Sequence, residues 1–454
     1  MTDQRFTALL AFIQHARWFG GKGRDAQVSG VYRLGAVADR LDPHVVVDLV
    51  ELVYADEPTQ TELYQVPLAL YREPEPRLEH AFVGWWEDPE LGWVHAYDAV
   101  HDRDAMGQWL ARFVRAGASP EQSGPLVFAR LPGHALAEDV HSTLFSGEQS
   151  NSSVMFGEDS LLKLFRKVTP GANPDITIHD ALTRAGSAHV TELYGWVEAP
   201  EGPLHLAMLQ QFLRTATDGW QLALTSVRNL YAEADLHARE VGGDFAAEAA
   251  RLGEAVAEVH ATLADQFGIG TADMAVVAEQ MTERLRVALE VVPQLESMAD
   301  AVEATYARLT ELGEQEVQRI HGDLHLGQTL RTVKGWKVVD FEGEPAKPQA
   351  DRKFHPLARC RRDVAVLRLR PRGGHETSTV RTTTRRPSVV RAEECPRATA
   401  TRSSAPMPAG RSRSPTRRCW RRTLPTRRCT RRSTRPATDP PGWRSLDALA
   451  RLVG

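Results

Sequence analysis

The 454-residue sequence predicts an α+β protein in which a β-rich lobe is followed by a helical lobe. Three features carry that expectation. Short apolar runs alternate with turn signals over residues 1–90, and a second strand-rich block lies between Val127 and Phe165. From Gly202 onward, apolar residues recur at the 3.6-residue period in long Ala-, Leu- and Glu-rich stretches. No internal repeat interrupts this order.

In chain order, an N-terminal helix precedes the glycine-punctuated loop Trp18–Asp25 (WFGGKGRD). Val45–Tyr54 (VVVDLVELVY) and Tyr64–Glu73 (YQVPLALYRE) read as a strand pair across an ADEPTQ loop. VFARLP, HSTLF, SSVMFG and SLLKLF supply the strands of the second block. Leu206–Trp220 (LAMLQQFLRTATDGW) reads as an apolar strand, a hinge at Gln211, Phe212 and Leu213, and a helix start. Phe245–Leu263 and Met281–Leu312 are each expected to form long amphipathic helices. Beyond them QRI is a strand end, HGDLH a tight loop and VVDFE a strand.

Hydrophobic residues make up 42% of the chain and charged residues 25%, ordinary values for a globular protein. No apolar run is long enough to span a membrane. The start MTDQRFTALL lacks the apolar core of a secretory signal, so the expected location is the cytoplasm.

The net charge of -4 conceals a division. Phe354–Gly454 holds 25 Arg, no Lys and 6 acidic residues, a balance of +19, which leaves -23 on the first 353 residues. All four cysteines (Cys360, Cys395, Cys419 and Cys429) lie in that last stretch. Their gaps of 34, 23 and 9 residues fit neither a metal site nor a disulfide framework. A basic arm would suggest nucleic acid, but the Lys, interleaved aromatics and periodic helix face of such readers are missing. The segment reads as a largely disordered tail, and its Arg-, Pro-, Thr- and Ser-rich composition is what GC-rich coding DNA gives when read out of frame. Translating the gene in its other two frames tests the second reading, which requires a helical sequence containing acids and aromatics.

The densest chemical signal is Arg319–Arg331 (RIHGDLHLGQTLR), followed by Gly335–Pro345 (GWKVVDFEGEP). Asp340 follows Asp323 by 17 residues. Two carboxylates and an amide on adjacent loop and strand ends are what phosphoryl transfer requires. One Asp takes or orients the acceptor proton, and an Asp plus an amide oxygen hold Mg²⁺ against the ATP phosphates. A lone HGD would more often be a hydrogen-bonded turn; HGDxHxxQ together with DFE points to chemistry. Upstream, SGEQSNSSVMFG (Ser146–Gly157) is a turn of small polar residues suited to offering backbone N–H groups, at Ser150, Asn151, Ser152 and Ser153, to phosphate. Lys163 sits at an interior position of an apolar strand and calls for an anionic partner.

Taken together, RWFGGKGR, GEQSNSSVMFG, KLFRKV, NPD, MLQQFLRTATDGW, HGDLHLGQTLR and DFEGEP resemble the maltokinases (maltose 1-kinases) of the aminoglycoside-phosphotransferase-like kinase superfamily. The resemblance spans Arg17 to Pro348. It implies a bilobal protein-kinase-like fold: an N-terminal cap domain over residues 1–90, a β-rich intermediate region with the ATP-phosphate loop and lysine over 91–205, a helical C-lobe with the catalytic loop over 206–353, and an atypical tail over 354–454. It further implies ATP-dependent phosphorylation of maltose to maltose 1-phosphate, feeding glycogen and α-glucan synthesis, with Mg²⁺ as cofactor. Asp323 would be the catalytic base, Gln328 and Asp340 the magnesium ligands, and Lys163 the phosphate-binding lysine. Ser150, Asn151, Ser152 and Ser153 would meet phosphate, Gln211, Phe212 and Leu213 the adenine, with His321, His325 and Glu342 in support. Maltose and ATP are the implied small-molecule partners, with trehalose/maltose-interconverting and glucan-synthesising enzymes as associated proteins.

Two departures qualify this picture. Thr177 stands where a Glu would pair with the ATP lysine, so Asp175 or Asp180 has to substitute. The Arg-rich tail replaces the helices that complete the C-lobe, which leaves the acceptor site incomplete. Two other readings therefore stay open: a kinase for another small hydroxylated acceptor, such as an aminoglycoside or glucosamine, and an ATP-binding pseudokinase. A neutral sugar wants aromatic platforms, for which Trp18, Trp196 and Trp220 are candidates.

Overall fold

The computed structural model describes residues 4–38, 42–117, 119–145, 150–199, 204–232 and 245–341. Glu342 and the Arg-rich segment lie outside the described residues. The run Val45–Tyr54, apolar apart from Asp48 and Glu51, forms a strand covered on both faces. After helix α1 (Gln4–His15), strands β1 (Ala26–Ala36), β2 (His44–Tyr54), β3 (Glu57–Tyr71), β4 (Phe82–Asp88) and β5 (Gly92–Asp98) form an antiparallel sheet in the order β1-β2-β3-β5-β4. Val46, Val50 and Leu52 face Leu9 and Ile13 of α1 in one core. Val45, Val47 and Leu49 join a second core with Trp109 and Phe113 of helix α2 (Arg103–Arg115). Of the two acids in this strand, Asp48 is fully buried and held by Arg5 at 2.5 Å and Arg33 at 3.1 Å. These strands are longer than expected. The ADEPTQ loop shrinks to a tight turn in which Tyr54 faces Glu57, because the polar residues of β3 carry the ladder beyond the apolar stretch. The boundary expected at residue 90 falls in the turn between two paired strands, β4 and β5, the second of which ends at Asp98.

A second antiparallel sheet follows. It contains β6 (Glu121–Ser123), β7 (Leu126–Arg130), β8 (Ser142–Phe145), β9 (Ser152–Phe156) and β10 (Ser160–Leu164). After the two-residue strand β11 (Lys167–Val168) and helix α3 (Pro174–Arg184), β12 (Leu193–Ala199) and β13 (Leu204–Gln211) complete it. The order is β6-β7-β12-β13-β10-β9-β8, so the strand carrying Lys163 is an inner one, between β13 and β9. β11 leaves this sheet and pairs with β3 of the first. Between β10 and β11, buried Arg166 binds Asp98 at 2.7 Å and donates to Ser152 Oγ at 2.8 Å. The boundary expected at 205 falls inside β13.

The chain continues through β14 (Thr217–Asp218), α4 (Gly219–Ala232) and α5 (Ala246–Phe267). Then come β15 (Ile269–Asp273), α6 (Met274–Val291), α7 (Glu296–Ala307) and β16 (Glu314–Gln318), and last β17 (Thr329–Thr332) and β18 (Gly335–Val338). The described residues fall into two units, one within Met1–Arg228, Ala247–Ile269 and Gln318–Asp363, the other within Asn229–Ala246 and Gly270–Val317. In the second unit, the single helix expected over Met281–Leu312 is broken. Val292 adopts φ -129° and ψ 79° ahead of Pro293, because a proline disfavours helical geometry in the residue before it and lacks an N–H of its own. In the first unit, β14, β17 and β18 form a small sheet. Val259 and Leu263 of α5 pack with Ile178 and Leu182 of α3 and with Val338 and Phe341. That core brings α3 against the segment carrying Asp340. Among the described residues, no helix is long and apolar enough to cross a membrane.

Candidate active site

Lys163 is buried in β10, where its charge needs compensation. Its Nζ lies 2.9 Å from Asp175 Oδ2 and 2.8 Å from Asp340 Oδ1. Of the two acids that could replace the expected Glu, Asp175 is the partner, while Asp180 pairs with Arg184 one helical turn on. The local sequence explains the choice. Asn173 caps α3 by accepting from the Asp175 amide at 2.8 Å, and Pro174 occupies the first helical position. This sets Asp175 in the first turn, where the helix dipole favours a carboxylate. Its second oxygen accepts from the Phe341 amide at 2.9 Å and lies 3.1 Å from His179 Nδ1. Burial pushes the Asp175 carboxyl upward, but Lys163 and His179 outweigh it and hold the group well below the usual aspartate range.

The HGDLH segment turns where Gly322 takes φ 90°, a conformation that favours glycine. His321 is buried, and burial holds its pKa below that of a free imidazole. The neutral ring bonds to the Val339 carbonyl through Nε2 at 2.9 Å and accepts the Asp323 amide on Nδ1 at 3.3 Å. Asp323 is therefore tied by its backbone to the strand end that precedes Asp340. His325 caps the short turn Leu326–Gln328 by accepting from the Gly327 amide at 3.0 Å. That turn carries Gln328, whose Nε2 donates to Asp340 Oδ2 at 2.7 Å. The VVDFE strand expected through Asp340 ends at Val338. Asp340 has φ 68°, the one positive φ among described non-glycine residues. Each of its oxygens is held, Oδ1 by Lys163 and Oδ2 by Gln328, and left-handed aspartate is tolerated when its surroundings fix it.

The remaining expected residues divide. Ser150 and Asn151 precede β9, the Asn151 amide donating to Ser150 Oγ at 3.3 Å. Ser152 and Ser153 do not lie in the turn: they pair with Leu164 and Lys163 in the ladder, and the Ser152 hydroxyl holds Arg166. At the hinge, the Gln211 amide donates to the Glu192 carbonyl at 2.8 Å and the Phe212 amide to the Asp159 carbonyl at 2.7 Å. Of the three hinge amides, Leu213 alone donates to no described backbone carbonyl. Trp18 lies beneath Arg166 and beside Tyr64, and Trp196 Nε1 donates to Glu198 at 3.2 Å, so both are engaged elsewhere. Trp220 follows Gly219, which sits hard against the Leu326 carbonyl.

Asp340, beside Lys163, and Gln328, beside Asp340, carry hard oxygen atoms that would suit Mg²⁺ held mainly by phosphates and water. No cluster of three acid, His or Cys side chains forms a closed metal cage among the described residues. Gln328 would present Oε1 to a metal by turning its amide, which exchanges the position of its donor nitrogen. Sequence reasoning missed His179, Thr191 and Gln210, the buried groups behind Asp175; the i,i+4 spacing of Asp175 and His179 was the available signal.

A profile of the phosphotransferase enzyme family matches residues 141–343, and a profile of the maltokinase N-terminal cap domain matches residues 12–102. The chain belongs to the aminoglycoside-phosphotransferase-like kinase superfamily. Within it, the chain is of the kind that carries a maltokinase-type cap. It is 30% identical over 302 residues to a glucosamine kinase of Streptacidiphilus jiangxiensis, covering 58% of this chain and 66% of that one. It is 28% identical over 283 residues to a glucosamine kinase of Mycolicibacterium smegmatis, covering 56% and 67%. The match thus spans about two thirds of each relative's length. The fold is similar to that of a glucosamine kinase in complex with glucosamine, ADP and inorganic phosphate (TM-score 0.56, 22% identity, 86% and 85% of the two chains). It is also similar to a glucosamine kinase in another crystal form (TM-score 0.59, 21% identity, 88% and 84%).

Proposed function

We propose that this chain is an ATP-dependent sugar kinase that phosphorylates maltose at its anomeric hydroxyl. The observation that carries the kinase reading is the convergence of Lys163, Asp175, Asp340 and Gln328 beside the loop of His321 and Asp323. Lys163 engages the ATP phosphates, and Asp175 fixes the direction of its ammonium. Gln328 and Asp340 hold Mg²⁺, which neutralises phosphate charge when bound. Asp323 accepts the proton of the attacking hydroxyl, on a loop held in place by neutral His321. Leu213 offers its amide to the adenine. Ser150 and Asn151 stand before β9 at the phosphate side, and His325 holds the turn of Gln328.

Maltose as acceptor is supported by the maltokinase-type cap and by the TATDGW segment, whose Gly219 adjoins the turn carrying Gln328. A second reading, glucosamine, is favoured by the names of both sequence relatives. The two acceptors differ in charge, since glucosamine carries an ammonium and maltose none. ADP release from Mg²⁺-ATP, measured with maltose, glucosamine, glucose and an aminoglycoside in turn, separates them. Maltose giving the largest kcat/KM supports the first reading. Glucosamine exceeding maltose overturns it in favour of the second, and ADP release with no acceptor in the panel refutes both.

A further inference from the structure

We infer that His179 is a positioning residue for the phosphate-binding lysine, acting through Asp175. This rests on the kinase reading above. Asp175 serves Lys163 with one oxygen and the Phe341 amide with the other, so rotation of its carboxylate would release both. His179 opposes that rotation. Its Nδ1 lies 3.1 Å from Asp175 Oδ1 and 2.9 Å from the Asp175 carbonyl. Both are acceptors, so Nδ1 carries the proton. On its other edge, Nε2 accepts from the Thr191 hydroxyl at 3.3 Å, and Thr191 Oγ1 lies 3.1 Å from the Gln210 side-chain amide. Gln210 immediately precedes the hinge. The imidazole also meets the Phe341 ring edge-on, with centroids 5.2 Å apart. His179, Thr191 and Asp175 are almost fully buried, so water does not compete for these bonds. One ring thus joins the first turn of α3, the strand entering the hinge, and the residue after Asp340. A carboxylate shorter than glutamate needs such support to keep its aim.

The test uses Mg²⁺-ATP titration of the full chain without sugar, beside thermal melting. His179→Asn puts an amide donor where Nδ1 stands, whereas His179→Gln puts it toward Nε2 and His179→Phe keeps only the ring. The Asn variant is expected to bind ATP within about threefold of the parent, and the Gln and Phe variants about tenfold more weakly, the value of a hydrogen bond to a charged group. Thr191→Val preserves volume and is expected to weaken ATP binding severalfold, which keeps the idea testable should the His179 variants not fold. Unchanged ATP affinity in Gln, Phe and Val variants, or an Asn variant as weak as Phe, overturns the inference, because a purely structural histidine would lower melting temperature alone. Lys163→Ala is the control. If it binds ATP like the parent, the kinase reading itself fails; if it weakens binding while His179→Gln does not, only the role of His179 fails.

Discussion

Replacing Asp175 with asparagine removes the charge that balances Lys163 while keeping the size of the side chain. Breaking a buried ion pair costs about 3–5 kcal/mol, because one charge is left uncompensated. Here Asp340 remains 2.8 Å from Lys163 with its carboxylate 34% exposed, so about 2–3 kcal/mol is the expected loss at neutral pH. That lowers the melting temperature by roughly 5–10 °C. The pH dependence follows from the depressed carboxyl. Its contribution is complete above the ordinary aspartate value of 3.8 and fades as pH falls below it. The parent and Asp175→Asn should therefore converge in stability in acid. Activity falls further than stability, because a ~1 Å displacement of the lysine costs on the order of 100-fold in kcat/KM for ATP. Thermal melts over a pH series and a coupled ADP assay read both effects. A gap in stability that stays constant down to pH 2, or an unchanged kcat/KM for ATP, would refute the assignment of Asp175 as the partner.

Gly219→Ala places a methyl carbon 2.8 Å from the Leu326 carbonyl, beside the Thr329 hydroxyl. The turn carrying Gln328 must shift, and kcat is expected to fall about tenfold with the fold retained; an unchanged kcat would contradict this. Glu248 receives bonds from Arg251, Arg331 and Trp336, and although burial acts the other way, its carboxyl is drawn down from 4.5 to about 2. Glu248→Gln should lower stability at pH 7, the difference fading between pH 4.5 and 2 in urea denaturation. Equal stability of the two proteins at pH 7 would show that the network contributes nothing.

The HGDLHLGQ segment was legible because its residues are contiguous: His321, Asp323, His325 and Gln328 follow one another around the turn at Gly322. Strands β2, β3, β7, β8, β9, β10 and β13 were legible from their apolar runs, whereas the runs of β1, β4, β5, β6, β11 and β12 were not singled out. The geometry of Asp340 was not legible, since a local apolar pattern continues past Val338 and only the bonds from Lys163 and Gln328 hold it at positive φ. The choice between Asp175 and Asp180 depended on capping. Asn173 and Pro174 fix where α3 begins, and one turn decides which acid faces β10. Hydrogen bonding of the hinge amides to Glu192 and Asp159 is non-local and leaves no mark in sequence.

ADP release from Mg²⁺-ATP in the presence of the best acceptor, compared between the parent chain and Asp323→Asn, is the most direct measurement. The expected result is sugar-dependent turnover that drops at least about 100-fold in the variant, the low end for removing a general base, while ATP affinity is unchanged. Turnover that is independent of sugar, or equal in the two proteins, would contradict a kinase that works through Asp323.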